Sequence, residues 1–241
     1  MQERYDGNAV SGFFGDATKI LGRLLDVNAD TLALAIPETG TRLMNGGRFL
    51  TFGAGHSGLV AQDVYYRAGG LKGLECLFED RLMLDFEPVA QTSVAEKTEG
   101  LLDAALQTPG LIGEEDILLV ISTSGVNPVP VDVALAGIEA GAHVIAVTSH
   151  EASTQLEARH SSGLRLQDAA HQVLNNLAPY GDTLQEVGEG IAKMGSVSTA
   201  AGALLLQALT LGAADWAISR GWKPAIYVSG NIPGGMEQNA E

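Results

Sequence analysis

Short, unbroken apolar runs recur along this chain, and each is closed by small or hydroxyl-bearing residues. They are Arg48–Phe52, Leu74–Leu77, Ile117–Ile121, Val144–Val147 and Gln172-Val173-Leu174. A strand covered on both faces has no polar side to alternate with, so this pattern predicts buried parallel strands. Helical stretches separate them at Leu59–Tyr66, Leu101–Leu106 and Val131–Ala140, the last one entered through Pro128 and Pro130. Strands alternating with helices predict an α/β protein with a doubly wound parallel sheet and right-handed crossovers. Ahead of the sheet, Phe13, Phe14, Ile20, Leu21, Leu24, Leu25, Leu32, Leu34 and Ile36 predict one or two amphipathic helices. Val27-Asn28-Ala29-Asp30 is the expected interruption and Pro37 the expected stop. Behind it, Ala200–Ile218 reads as a buried Ala/Leu helix rather than a membrane span, because Gln207, Thr210, Asp215 and several tiny residues interrupt it. Ala225–Val228 predicts one more strand, running into the polar loop Ser229–Gly235.

Composition narrows the function classes. The 241 residues carry 14 Lys+Arg against 29 Asp+Glu, formally −15 at pH 7, and no basic patch, which argues against nucleic acid and anionic lipid as partners. Aromatics are 5% of the chain, so its core is built from Ala, Leu, Val and Ile. Cys76 is the single cysteine, in an apolar setting that reads as a structural thiol; with no internal disulfide, and an N-terminal MQERYDG unlike a signal peptide, a cytoplasmic location is expected. The acidic segment from Asp80 to Glu99, broken by Pro88, reads as a mobile loop over a pocket whose glutamates have no assignable positions.

The chemistry concentrates at the strand exits. Gly53-Ala54-Gly55-His56-Ser57-Gly58 follows the first strand, and Ser122-Thr123-Ser124-Gly125 follows a different one. Glycine turns expose backbone N–H groups and hydroxyls add side-chain donors, so the two loops together predict an anion pocket suited to phosphate. Ser198 and Thr199, at the start of the late helix, continue the theme. A dinucleotide reading of the first loop would need Glu75 or Glu79 as its ribose ligand, and the lysine of a nucleotide-hydrolysing phosphate loop is absent. A metal would require His56, His150, His160 and His171 to converge; neither metal nor cofactor is expected. Moving a proton between adjacent sugar carbons needs a group that titrates usefully, for which His56 and His160 are candidates, with Asp63 and Asp182 as alternative carboxylates. Asn176 and Asn231 are candidates for sugar hydroxyls.

FGAGHSG at Phe52–Gly58, DILLVISTSGVNP at Asp116–Pro128, HVIAVTS at His143–Ser149 and GSVSTAAGALLLQ at Gly195–Gln207 together resemble the sugar isomerase, or SIS, domain family. YYRAGG at Tyr65–Gly70, RHSSG at Arg159–Gly163, NNLAPYGD at Asn175–Asp182 and SGNIPGG at Ser229–Gly235 are similar to a phosphosugar isomerase subgroup of it. The resemblance implies a three-layer α/β/α fold with a parallel flavodoxin-like sheet and N-terminal helices. It implies one SIS domain over residues 1–241, with a helical extension over 1–45 and a C-terminal strand and loop over 222–241. It also implies a homodimer or homotetramer binding a phosphorylated sugar near a subunit interface, with phosphate roles for Ser57, Ser122, Thr123, Ser124 and Thr199 and Ser198 beside them. The expected activity is aldose–ketose isomerisation, the alternatives being a noncatalytic phosphosugar sensor and an amino-sugar phosphate lyase or etherase. Two departures matter: Gly125 is followed by Val126-Asn127-Pro128 in place of the family's threonine and glutamate, and Gln207 stands in the late helix where phosphoheptose isomerases carry histidine.

Overall fold

A computed structural model describes residues 7–188 and 191–240. The reading of the N-terminal MQERYDG stretch rests on residues 1–6 and lies outside them. Five parallel strands, β1 (Phe49–Gly53), β2 (Leu74–Cys76), β3 (Ile117–Ile121), β4 (His143–Thr148) and β5 (Gln172–Asn175), form a sheet in the order β2-β1-β3-β4-β5. All five residues of β1 and of β3 are buried, as expected for strands covered on both faces. This is the flavodoxin-like order, in which the direction of strand addition reverses between β1 and β3.

Each face has its own apolar core. On one side α1 (Asn8–Met44), α2 (His56–Gln62) and α7 (Ser198–Ile218) pack Leu32, Val60, Leu205 and Leu209 against Phe49, Leu119 and Ile145. On the other, α5 (Pro128–Glu139) packs Val129, Val133 and Ala134 against Leu50, Phe52, Leu118 and Val120. Two short helices, α3 (Ala90–Ala95) and α4 (Asp103–Leu106), add Ala95 and Leu106 to this core, and a third, α6 (His150–Gln155), follows β4. A small antiparallel hairpin, β6 (Thr183–Gln185) with β7 (Met194–Ser196), leads into α7, and α8 (Gly235–Ala240) ends the described chain. Among the described residues α7 is the one helix long and apolar enough to cross a membrane; half of its apolar window is buried against the rest of the protein.

The N-terminal segment departs from expectation: α1 is one helix of 37 residues that passes through both Asn28 and Pro37. Pro37 costs an intrahelical hydrogen bond, roughly 3 kcal/mol. Packing on both sides of it offsets that loss, because α1 and α7 approach closely. A Cβ on Gly40 would lie 2.6 Å from the Trp216 ring, and one on Gly212 would lie 2.5 Å from Ile36. Asn28 does not interrupt the helix; it docks it. Its amide donates to Leu24 O at 2.8 Å and Asn175 O at 2.9 Å and accepts from Asn175 N at 2.7 Å, completing the edge of β5. Asn28→Ala would leave the Asn175 N–H and C=O without these partners. We expect a loss of about 2–4 kcal/mol, read as a lower urea midpoint at unchanged slope.

Ala225–Val228 is not a strand of the sheet. It forms one antiparallel bridge, Ile226 to Leu71, with flanking bonds from Gly69 N to Tyr227 O and from Tyr227 N to Gly70 O. The segment it meets lies outside the sheet, so no ladder extends from it.

Candidate ligand site at the β1 and β3 exits

Two chain segments leave the carboxyl edge of the sheet on either side of its reversal, where a crevice opens in such folds. After β1 the chain turns so tightly that a Cβ on Gly53 would lie 2.3 Å from Ser57 O, which only glycine permits. Gly55 N donates to Leu82 O and Ser57 N to Ala54 O, fixing the loop ahead of α2. His56 is exposed and Ser57 half-buried at its tip.

After β3 the hydroxyl loop is held from several sides. Gly125 has φ 64°, and a Cβ there would lie 2.6 Å from the Thr148 hydroxyl. Buried Ser122 accepts from Gly125 N at 3.3 Å, and its own hydroxyl proton remains available to an acceptor. Thr123 is tied into the scaffold: its hydroxyl accepts from Asn176 Nδ2 at 3.2 Å, and its carbonyl accepts from Ser149 N and the Thr148 hydroxyl. Asn176 is 1% exposed and also holds Ala178 N, so it braces the loop. Among the described residues, the side-chain hydroxyls of Ser57, Ser124 and Thr199 have no hydrogen-bond partner within the chain and are not fully buried. A cavity of about 370 Å³ opens beside Thr123 and Ser124, walled by Ala152, Leu156, Tyr180 and Asp182.

The start of α7 is capped from a distance. Asp182 Oδ1 accepts from Val197 N at 3.2 Å and Ser198 N at 2.9 Å, while the Ser198 hydroxyl donates to Asp182 Oδ2 at 2.5 Å. Asp182 and Ser198 are thus engaged with each other, and Thr199 is the uncommitted hydroxyl of that turn.

Other singled-out residues lie apart. Asp63 accepts from Arg67 and from Gln207 Nε2 at 2.7 Å. Gln207 is nine positions beyond Ser198 on α7, which at 1.5 Å per residue puts the pair about 13 Å down the helix from its capped end. His160 is on the outer side of α5, where its Nε2 meets Asp132 at 2.9 Å and its Nδ1 meets Ser162 at 2.7 Å. It lines a different, acidic groove with Glu99, Asp103 and Glu139. Asn231, in the C-terminal segment, lines a pocket with Tyr66 and Tyr227. His171 stacks on His143 at the amino edge of the sheet, 4.7 Å between ring centroids, so the histidines do not converge. Among the described residues no group of three or more His, Cys, Asp or Glu could hold a metal ion. Burial pushes the Cys76 thiol up to about 11, which keeps it protonated and unreactive at neutral pH.

One carboxyl was missed in the sequence. The side chain of Thr92 on α3 lies against Gly55 of the first loop. One turn on, Glu96 follows the end of α3, and its carbonyl accepts from Val129 N in the first turn of α5, the helix that follows the second loop. Burial pushes the Glu96 carboxyl above its ordinary value; a hydrogen bond with Asn127, then the charges of Lys97 and Arg159, oppose the shift without cancelling it. Asn127 is itself held by Arg159 at 2.6 Å. The segment expected to be a mobile cover instead contains a short helix lying between Gly55 of the first loop and the first turn of α5.

Residues 12–149 match the SIS domain family. UPF0309 protein SCO4393 of Streptomyces coelicolor is 38% identical over 98% of this chain and 94% of its own length. The structure is similar in fold to a phosphoheptose isomerase from Francisella tularensis, with a TM-score of 0.56 at 17% identity over 87% of this chain and 98% of that one. A phosphoheptose isomerase from Neisseria gonorrhoeae gives 0.54 at 18% identity over 86% and 98%. Sequence and fold agree: this chain belongs to the SIS domain family.

Proposed function

We propose that this protein binds a sugar phosphate at the β1 and β3 exits and interconverts its aldose and ketose forms. The observation that carries the reading is the pairing of β1 with β3, which sets the Gly53–Gly58 loop and the Ser122–Gly125 loop on either side of the sheet's reversal, with the half-buried carboxyl of Glu96 at the end of α3, beside Asn127 and the start of α5. Ser57, Ser122, Ser124 and Thr199 supply uncommitted donors for the phosphate, and the glycine turns let backbone approach it closely. Glu96 is the proton-transfer group. A carboxylate whose affinity for a proton is raised by burial is a stronger base than a solvated one, and moving a proton between C1 and C2 requires such a base. His56, on the first loop, is placed to help polarise the sugar oxygen. The names of the fold relatives agree with this chemistry.

Self-association belongs to the same reading. Phe14, Leu25 and Leu34 on α1 and Leu204, Leu211 and Ile218 on α7 are between 47% and 72% exposed, an apolar surface that a second copy would cover. Light scattering is expected to give a dimer or tetramer; a monomer at micromolar concentration would contradict it.

The test of function is incubation with C5 to C7 aldose, ketose and amino-sugar phosphates in deuterated water, followed by mass spectrometry. Conversion with deuterium at C1 or C2 is expected. Binding without exchange would make the protein a sensor, and release of a leaving group would make it a lyase or etherase.

A further inference from the structure

We infer that Asp182 is an internal anion that occupies the first turn of α7 and is displaced by the ligand's phosphate, so that binding loosens the β6–β7 hairpin. The inference rests on the phosphate-site reading above. The two amides at the start of a 21-residue helix are the donors an incoming phosphate oxygen would use, and the Asp182 carboxylate already holds both together with the Ser198 hydroxyl. Asp182 also lines the cavity that Thr123 and Ser124 open into. A dianion entering that cavity therefore meets a fixed negative charge beside the hydroxyls that attract it. Two like charges there repel, and one must yield.

The consequence is structural because Asp182 closes the base of the hairpin. It directly precedes β6, and its partners Val197 and Ser198 directly follow β7, where Thr183 pairs with Ser196. The hairpin in turn rests on the first turns of α1: Gln185 donates to Asp16 at 2.8 Å, and a Cβ on Gly195 would lie 2.6 Å from Phe13. Release of the cap would free Thr183–Gln185 and Met194–Ser196 from the helix end and pass to that contact.

The test titrates inorganic phosphate, by calorimetry, into wild type and Asp182→Asn; the asparagine keeps an oxygen for the two amides and drops the charge. At least tenfold tighter binding by the variant is expected. In wild-type protein, which needs no variant to fold, saturating phosphate is expected to speed amide hydrogen exchange across Thr183–Gln185 and Met194–Ser196. Equal or weaker binding by Asp182→Asn, or exchange unchanged by phosphate, overturns the inference. Should Ser124→Ala weaken phosphate binding while Asp182→Asn leaves it unaltered, the displacement is wrong and the phosphate site stands. Phosphate binding to none of the proteins overturns both.

Discussion

Glu96→Gln is expected to lower kcat for sugar-phosphate interconversion by about 10²–10⁴-fold, with little change in KM and with the protein more stable at neutral pH. The two effects have one cause. Burial raises the proton affinity of the folded-state carboxyl, so the folded protein binds a proton more tightly than the unfolded chain. The associated stability is present in full below the unfolded carboxyl's ordinary value. It is lost as pH rises through the folded one, which lies higher. Glutamine keeps the shape and the contact with Asn127 but never ionises, so the variant escapes this loss. Activity should show the opposite sign: a base works only when deprotonated, and wild-type kcat/KM should climb with pH through the raised value. Thermal melts and initial rates across pH 4 to 8 check both. A variant that loses activity and stability together would make Glu96 a structural residue.

Ser124→Ala is expected to weaken sugar-phosphate binding by about 10–100-fold, from the roughly 1.5–3 kcal/mol of a hydrogen bond to a charged group. Folding should be unaffected, because the Ser124 hydroxyl has no partner in the chain and is half-buried. Thr123→Val makes the opposite case. Its hydroxyl is the acceptor of the Asn176 amide, so removing it should cost stability and carry the loop out of place. Calorimetric titration with melting curves for both variants separates donor from brace. Equal affinity of wild type and Ser124→Ala would remove Ser124 from the phosphate contacts.

The unalternating runs at Ile117–Ile121 and Val144–Val147 led to buried parallel strands because a strand covered on both faces leaves that trace in composition alone. The loops after them were legible because glycine and hydroxyls at a strand exit have few other uses. The continuity of α1 was not legible. Pro37 is a local stop signal, and what overrides it, the close passage of Gly40 and Gly212 between α1 and α7, is written in residues more than 170 positions apart. Ala225–Val228 has strand composition but meets a segment outside the sheet. Glu96 was hidden among the acidic residues from Asp80 to Glu99, since charge pattern does not say which carboxyl the fold withdraws from solvent. Asp182 and His160 were noticed for their chemistry, and their partners, the α7 amides and Asp132, are set by the turns and packing between them rather than by any local pattern.

The central claim is the place of the ligand, and amide chemical-shift mapping during titration with a sugar phosphate tests it most directly. The account predicts that Gly55–Gly58 and Ser122–Gly125 shift together and saturate at one ligand concentration. Shifts confined to the groove around Glu99, Asp132 and His160, with both loops silent, would contradict it.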